Sequence, residues 1–161
     1  MRRYMFAASK CLSRGFSIVE VLVALVVLAV GMLGIAGLYV TSLQASGSAL
    51  LRMQAVNLAS DMADRIRANP DAGAAYAGEP ADNNCAGAAP ASCSPAQMAA
   101  DDLFRWHRQL AATLPDDGDP DTPQGTVEVS AGPPPRTYTI TVTWVEPGEP
   151  NPLTYALMMQ I

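Results

Sequence analysis

The stretch that decides the fold is Gly15–Phe16–Ser17–Ile18–Val19–Glu20, which opens onto VLVALVVLAVGMLGIAGLYV from Val21 to Val40. Those 20 residues carry no charge, and at 1.5 Å per residue they make about 30 Å of helix, the thickness of a bilayer core. A soluble helix of that length would show a polar face, and this one shows none. Ahead of it lie Arg2, Arg3, Lys10 and Arg14, and the first acid in the chain is Glu20. A basic flank stays on the cytoplasmic side, so the remainder is expected to face outward. A cleaved secretory signal fits poorly, because its apolar region is shorter and ends in a small-residue site on the far side. An uncleaved signal anchor explains the span and the basic flank, but not Gly15–Phe16 or the acid at Glu20.

Glu20 carries the functional information. A carboxylate at bilayer depth costs about 2.5–3.5 kcal/mol, less near the interface, so it implies a partner. A cut before Phe16 would create an α-amino group four residues away. On a neighbouring subunit, that ammonium is a fitting counter-ion for Glu20.

Past Leu43 the helix turns amphipathic, with Leu51, Ala55, Leu58, Met62 and Ile66 at three- and four-residue spacing. Asp61 with Arg65 and Asp64 with Arg67 are placed to pair along its surface. Asn69–Pro70 ends it, since the residue before proline is pushed out of the α region. Residues 71–93 show no period and read as a loop. Ser94–Pro95 predicts an N-cap and first helical residue, opening a helix with Leu103, Trp106, Leu110 and Leu114 on one face. Strands are predicted at Thr126–Ser130, Thr137–Val145 and Leu153–Ile161, with Tyr138, Ile140, Val142 and Trp144 sharing a face. The expected fold is α+β, a long N-terminal helix packed on a small three-stranded antiparallel sheet with a second short helix. The expected divisions are a leader at 1–15, a membrane or filament-core helix at 16–43 and a body at 44–161.

From Phe16 onward the chain holds six Arg against fifteen acids, a net charge of −9, which speaks against a nucleic-acid surface. Cys11 lies in the leader. Cys85 and Cys93, on the outward side, suit a disulfide in an oxidising compartment, where closing so small a loop contributes about 2.5–3 kcal/mol. No nucleophile elbow, P-loop, dinucleotide fingerprint or zinc motif is present, so neither enzyme activity nor a cofactor is expected. His107, the single histidine, reads as a packing or surface residue. Asp117, Asp119, Asp121 and Glu128 have the spacing of a calcium loop, but Thr122 stands where the turn glycine belongs and Pro120 intrudes.

The basic leader ending in Gly15, followed by Phe-Ser-Ile-Val-Glu-Val-Leu-Val-Ala, resembles the N-terminal signal of type IV pilins and type II secretion pseudopilins. The resemblance implies cleavage between Gly15 and Phe16 by prepilin peptidase, N-methylation of Phe16, and subunit docking through Glu20. Ser17 stands where threonine is more usual. No proline interrupts the span; Gly31, Gly34 and Gly37 recur instead, as close packing sites or as a weakened stretch. Leu58–Pro70 and Asp102–Trp106 are similar to PilV-type minor pilins, the type IV pilus modification proteins. That likeness implies a single-pass inner-membrane protein with its body in the periplasm. Its partners would be other minor pilins, the major pilin, the inner-membrane assembly platform and the lipid bilayer. A pseudopilin of type II secretion, or a membrane-tethered module binding calcium or a surface ligand, are the other readings open to the sequence.

Overall fold

A computed structural model describes residues 15–86, 92–116, 118 and 122–161. The leader bases, Cys11, Asp117, Asp119 and Asp121 therefore lie outside the described residues. The elements are α1 (Ile18–Ala68), a 3₁₀ segment (Pro70–Ala77), α2 (Pro95–Thr113), and strands β1 (Gln124–Val129), β2 (Thr137–Trp144) and β3 (Leu153–Gln160). The sheet has the order β1-β2-β3, antiparallel throughout. This is the pilin-like α+β architecture expected from the sequence. The chain forms two compact units, Met1–Gln44 and Ala45–Ile161.

In the second unit, α1 buries Ala55, Leu58, Ala59, Met62, Ala63 and Ile66. The stripe is the anticipated one widened by Ala59 and Ala63, while Leu51 is only half-buried. Small side chains between larger ones give the apolar band of at least about 100° that a helix needs to sit on a core. The surface pairs also form, Arg65 Nη2 to Asp61 at 2.9 Å and Arg67 Nη1 to Asp64 at 2.7 Å.

Helix α2 starts where Ser94 predicts, by a reciprocal cap. Ser94 Oγ accepts from the Gln97 backbone N–H at 3.3 Å, and Gln97 Oε1 accepts from the Ser94 N–H at 2.9 Å. Two otherwise orphaned donors are thereby satisfied. Leu103, Trp106, Leu110 and Leu114 are all buried, and the Trp106 indole donates to the Leu58 carbonyl of α1 at 2.9 Å.

Strand β2 alternates as expected, burying Tyr138, Ile140, Val142 and Trp144. Its neighbour β1 begins at Gln124, two residues earlier than the alternation suggested, because Gln124 pairs with Thr143 and Gly125 with Val142. Gly125 could not be read as a strand residue from sequence, yet it packs face-on against α2. A Cβ there would come within 2.5 Å of Trp106 Cη2 and Cζ3, and would collide with Leu110 Cδ1 as well. Overpacking of this kind costs about 1–3 kcal/mol. Gly125→Ala is thus expected to lower the melting temperature of the full chain in detergent by about 5 °C or more, read by circular dichroism. An unchanged melting curve would show that this contact relaxes freely.

One correction falls in 71–93. That stretch is not all loop, since Pro70–Ala77 winds into a 3₁₀ segment that buries Tyr76. Gly73 inside it has φ 51°, a left-handed value suited to glycine, and its carbonyl accepts from the Tyr138 hydroxyl at 3.4 Å. Eight residues are too few to show a period, and the turn depends on a tyrosine docking on distant elements.

Candidate assembly segment

Gly15, Phe16 and Ser17 precede the helix and are exposed. Phe16 shows 81% of its surface. Glu20 sits in the first turn of α1, where unpaired N–H groups and the helix dipole favour a negative charge. Among the described residues no ion pair reaches its carboxylate. Glu20 follows Phe16 by four, one helical turn, and the two line a shallow groove with Val21, Ala24, Leu25 and Leu28.

Among the described residues, nothing covers the apolar run beyond it. Its most apolar 18-residue window has mean hydropathy 2.8 and is not buried at all. Each exposed Leu or Val forgoes about 1.5–3 kcal/mol relative to burial, which lipid or neighbouring helices must supply. A Cβ at Gly31, Gly34 or Gly37 would meet no atom within 4 Å. Among the described residues no contact calls for these glycines.

The two stretches carrying the finer resemblance, Leu58–Pro70 and Asp102–Trp106, are brought together in the body. Arg65 bridges Asp61 and, at 3.5 Å, Asp102. Asp102 Oδ2 accepts from the Tyr76 hydroxyl at 2.9 Å. Burial pushes the Tyr76 phenol well above its usual range, so it stays a donor. Asn69 Nδ2 donates to the Pro95 carbonyl at 2.9 Å, joining the end of α1 to the start of α2. These residues hold two helices and a turn in register; they form a brace.

Two buried carboxylates escaped sequence reading. Asp101 is 1% exposed; it accepts from the Asn83 N–H at 3.0 Å, the Cys85 N–H, and Arg105 Nε at 2.7 Å. Burial works to raise its pKa, but Arg105 and the two backbone donors outweigh that and hold it below the usual carboxylate range. The Cys85–Cys93 disulfide pins the same loop. Glu146 is likewise buried, accepting from Arg52 Nε at 2.9 Å and Nη2 at 3.2 Å. The Arg52 hydrogen bonds lower its pKa, with help from Ser48 and the Trp144 indole, against the opposing effect of burial. This bidentate pair ties α1 to the end of β2. Nothing in the sequence marks Glu146, whose partner Arg52 lies 94 residues away. His107 is a packing residue, its Nε2 lying 2.9 Å from the Gly125 carbonyl, which requires the proton on that nitrogen. The acids proposed for calcium lie outside the described residues apart from Glu128, which is exposed on β1.

The fold, with its exposed apolar helix, fits a structural subunit anchored in a membrane. Residues 37–104 match the family model Tt1218-like, described as type IV pilin Tt1218, and residues 11–36 match the prokaryotic N-terminal methylation motif. Together these support a type IV pilin, a structural protein and not an enzyme, processed by a prepilin peptidase and assembling with other pilins. No curated protein and no solved structure matches the chain.

Proposed function

We propose that the chain is a minor pilin that helps prime assembly of type IV pili and is incorporated into them. The observation that carries this is the bare apolar helix with a single carboxylate, Glu20, one turn from Phe16. In this reading, residues 1–15 are a leader cut between Gly15 and Phe16, and Phe16 is N-methylated. Residues 16–43 span the inner membrane once and later join the filament core, with Glu20 docking on the terminal ammonium of a neighbour. Residues 44–161 form the periplasmic body, carried to the cell surface in the pilus and supporting twitching motility. Its partners are the major pilin, other minor pilins and the inner-membrane platform. The match to a type IV pilin model and the likeness of Leu58–Pro70 to PilV-type proteins support pili over secretion.

Deletion of the gene tests the assignment to a machine. Surface pili counted by electron microscopy and twitching zones are expected to fall at least about tenfold, a loss worth ~1.4 kcal/mol in an assembly equilibrium, while type II exoprotein release is unchanged. Normal piliation with lost exoprotein release transfers the chain to the secretion pseudopilins.

A further inference from the structure

The segment from Ala81 to Cys85 is held on α2 by bonds that involve neither sulfur of the disulfide. The Ala81 N–H donates to the Ala100 carbonyl at 3.0 Å, and Asn83 Nδ2 donates to the Gln97 carbonyl at 3.0 Å. The Asn83 and Cys85 N–H groups both donate to the Asp101 carboxylate, which Arg105 Nε also holds at 2.7 Å. Gln97, Ala100 and Asp101 are three and four residues apart, so they share one face of the helix. Cys93 is placed separately, as the residue before the Ser94 cap, whose reciprocal bonds with Gln97 fix the start of α2. Each sulfur also has a carbonyl beside it, Gln97 O at 3.7 Å from Cys85 Sγ and Asn83 O at 3.8 Å from Cys93 Sγ. In the reduced chain both thiols therefore find an acceptor.

The two cysteines differ in access. Cys85 is 6% exposed, whereas Cys93 is half-buried. Exchange between a thiol and a disulfide requires the two sulfurs to meet, so the more accessible cysteine is the one that reacts with a molecule in solution. Cys93 also precedes the N-terminus of a 19-residue helix, the end that favours negative charge, while Cys85 has the Asp101 carboxylate on its own N–H.

We propose that the Cys85–Cys93 bridge closes on a template formed by α2. Asp101 is the positioning residue that holds Cys85 in place as a thiol, and Cys93 is the sulfur that meets an outside disulfide. The Cys93 thiolate, its proton released to solvent, attacks one sulfur of that oxidant. The other oxidant sulfur leaves as a thiolate and takes up a proton. The Cys85 thiolate, its proton likewise released, then attacks Cys93 Sγ and expels the second oxidant sulfur, which is protonated in turn. Two cysteine thiols are oxidised, and one oxidant disulfide is reduced to two thiols. Because Asp101 sets Cys85 in place before any S–S bond exists, the second step runs between groups already positioned. The assignment is independent of which filament the chain serves.

The test uses the full chain in detergent, carrying Cys11→Ser so that only the pair reports. It is reduced with dithiothreitol, desalted and exposed to oxidised glutathione, and acid-quenched samples are read by peptide mass spectrometry. Glutathione is expected to add to Cys93 in Cys85→Ser at least about tenfold faster than to Cys85 in Cys93→Ser. Closure of the bridge from the Cys93 mixed disulfide is expected to slow at least about tenfold in Asp101→Ala, and at least about threefold in Asn83→Ala, which loses only the bond to Gln97. Gly125→Ala strains the core away from this loop and should close at the unaltered rate, which separates positioning from lost stability. The reduced chain is expected to keep its folded circular dichroism. Equal or inverted glutathione rates overturn the entry role of Cys93. Loss of the folded signal on reduction, slowing of Gly125→Ala as large as that of Asp101→Ala, or unslowed closure in folded Asp101→Ala overturns the template. Should Asp101→Ala fail to fold, unslowed closure in Asn83→Ala overturns it equally.

Discussion

Trp106→Ala is expected to strip the body of a large share of its folding stability. The indole is fully buried between α1, α2 and β1, beside Leu110 and against Gly125, and its N–H reaches the Leu58 carbonyl. Truncating a buried Trp costs about 3–5 kcal/mol, because the cavity collapses only in part. Whole-domain stability is about 5–15 kcal/mol, so this one change removes a large share of it. The melting temperature of the full chain in detergent should fall by roughly 10–25 °C, read by near-ultraviolet circular dichroism. Trp106→Phe retains most of the volume and loses the hydrogen bond, and should cost about 1–2 kcal/mol less than the alanine change. A drop below about 5 °C for Trp106→Ala would sink the claim that this ring organises the core. Because Gly125 owes its lack of a side chain to the same ring, Trp106→Ala and Gly125→Ala should not be additive. The alanine methyl at position 125 would then fill part of the cavity.

The long helix, α2 and β2 were legible because each states itself locally. A 20-residue uncharged run, a Ser-Pro start with leucines on one face, and strict alternation in TYTITVTW need no knowledge of distant residues. What could not be read depends on distant partners. Tyr76 turns a featureless Ala/Gly stretch into a docked 3₁₀ segment through Asp102 and the Arg65 carbonyl, 26 and 11 residues away. Asp101 and Glu146 are ordinary acids until Asn83, Cys85, Arg105 and Arg52 close on them. The start of β1 was misplaced because Gly125 has no alternation signal, and only pairing with Val142 makes it a strand residue. The assembly segment shows the reverse case. Glu20 could be singled out from sequence since its oddity is local, a charge inside an apolar helix. That no described residue pairs with it, and that the glycines beyond it meet no described side chain, needed the structure.

Glu20→Ala is expected to separate insertion from assembly. Removing a carboxylate that costs about 2.5–3.5 kcal/mol at bilayer depth can only ease entry into the membrane. The variant should therefore reach wild-type levels or higher in the inner-membrane fraction and still be cut after Gly15. Its incorporation into filaments should fall at least about tenfold, since a pair of unit charges at 4 Å is worth about 4 kcal/mol at an effective dielectric of 20, before desolvation is set against it. Glu20→Gln keeps the size and hydrogen-bonding capacity of the side chain but not its charge. It should fail nearly as badly if the partner is an ammonium, and recover substantially if a neutral donor suffices. Immunoblots of sheared filaments against membrane fractions give the ratio directly. Wild-type incorporation of Glu20→Ala would remove the docking role. Equal loss of both variants, with cleavage intact, would tie assembly to the charge that cleavage before Phe16 would create under the proposed reading.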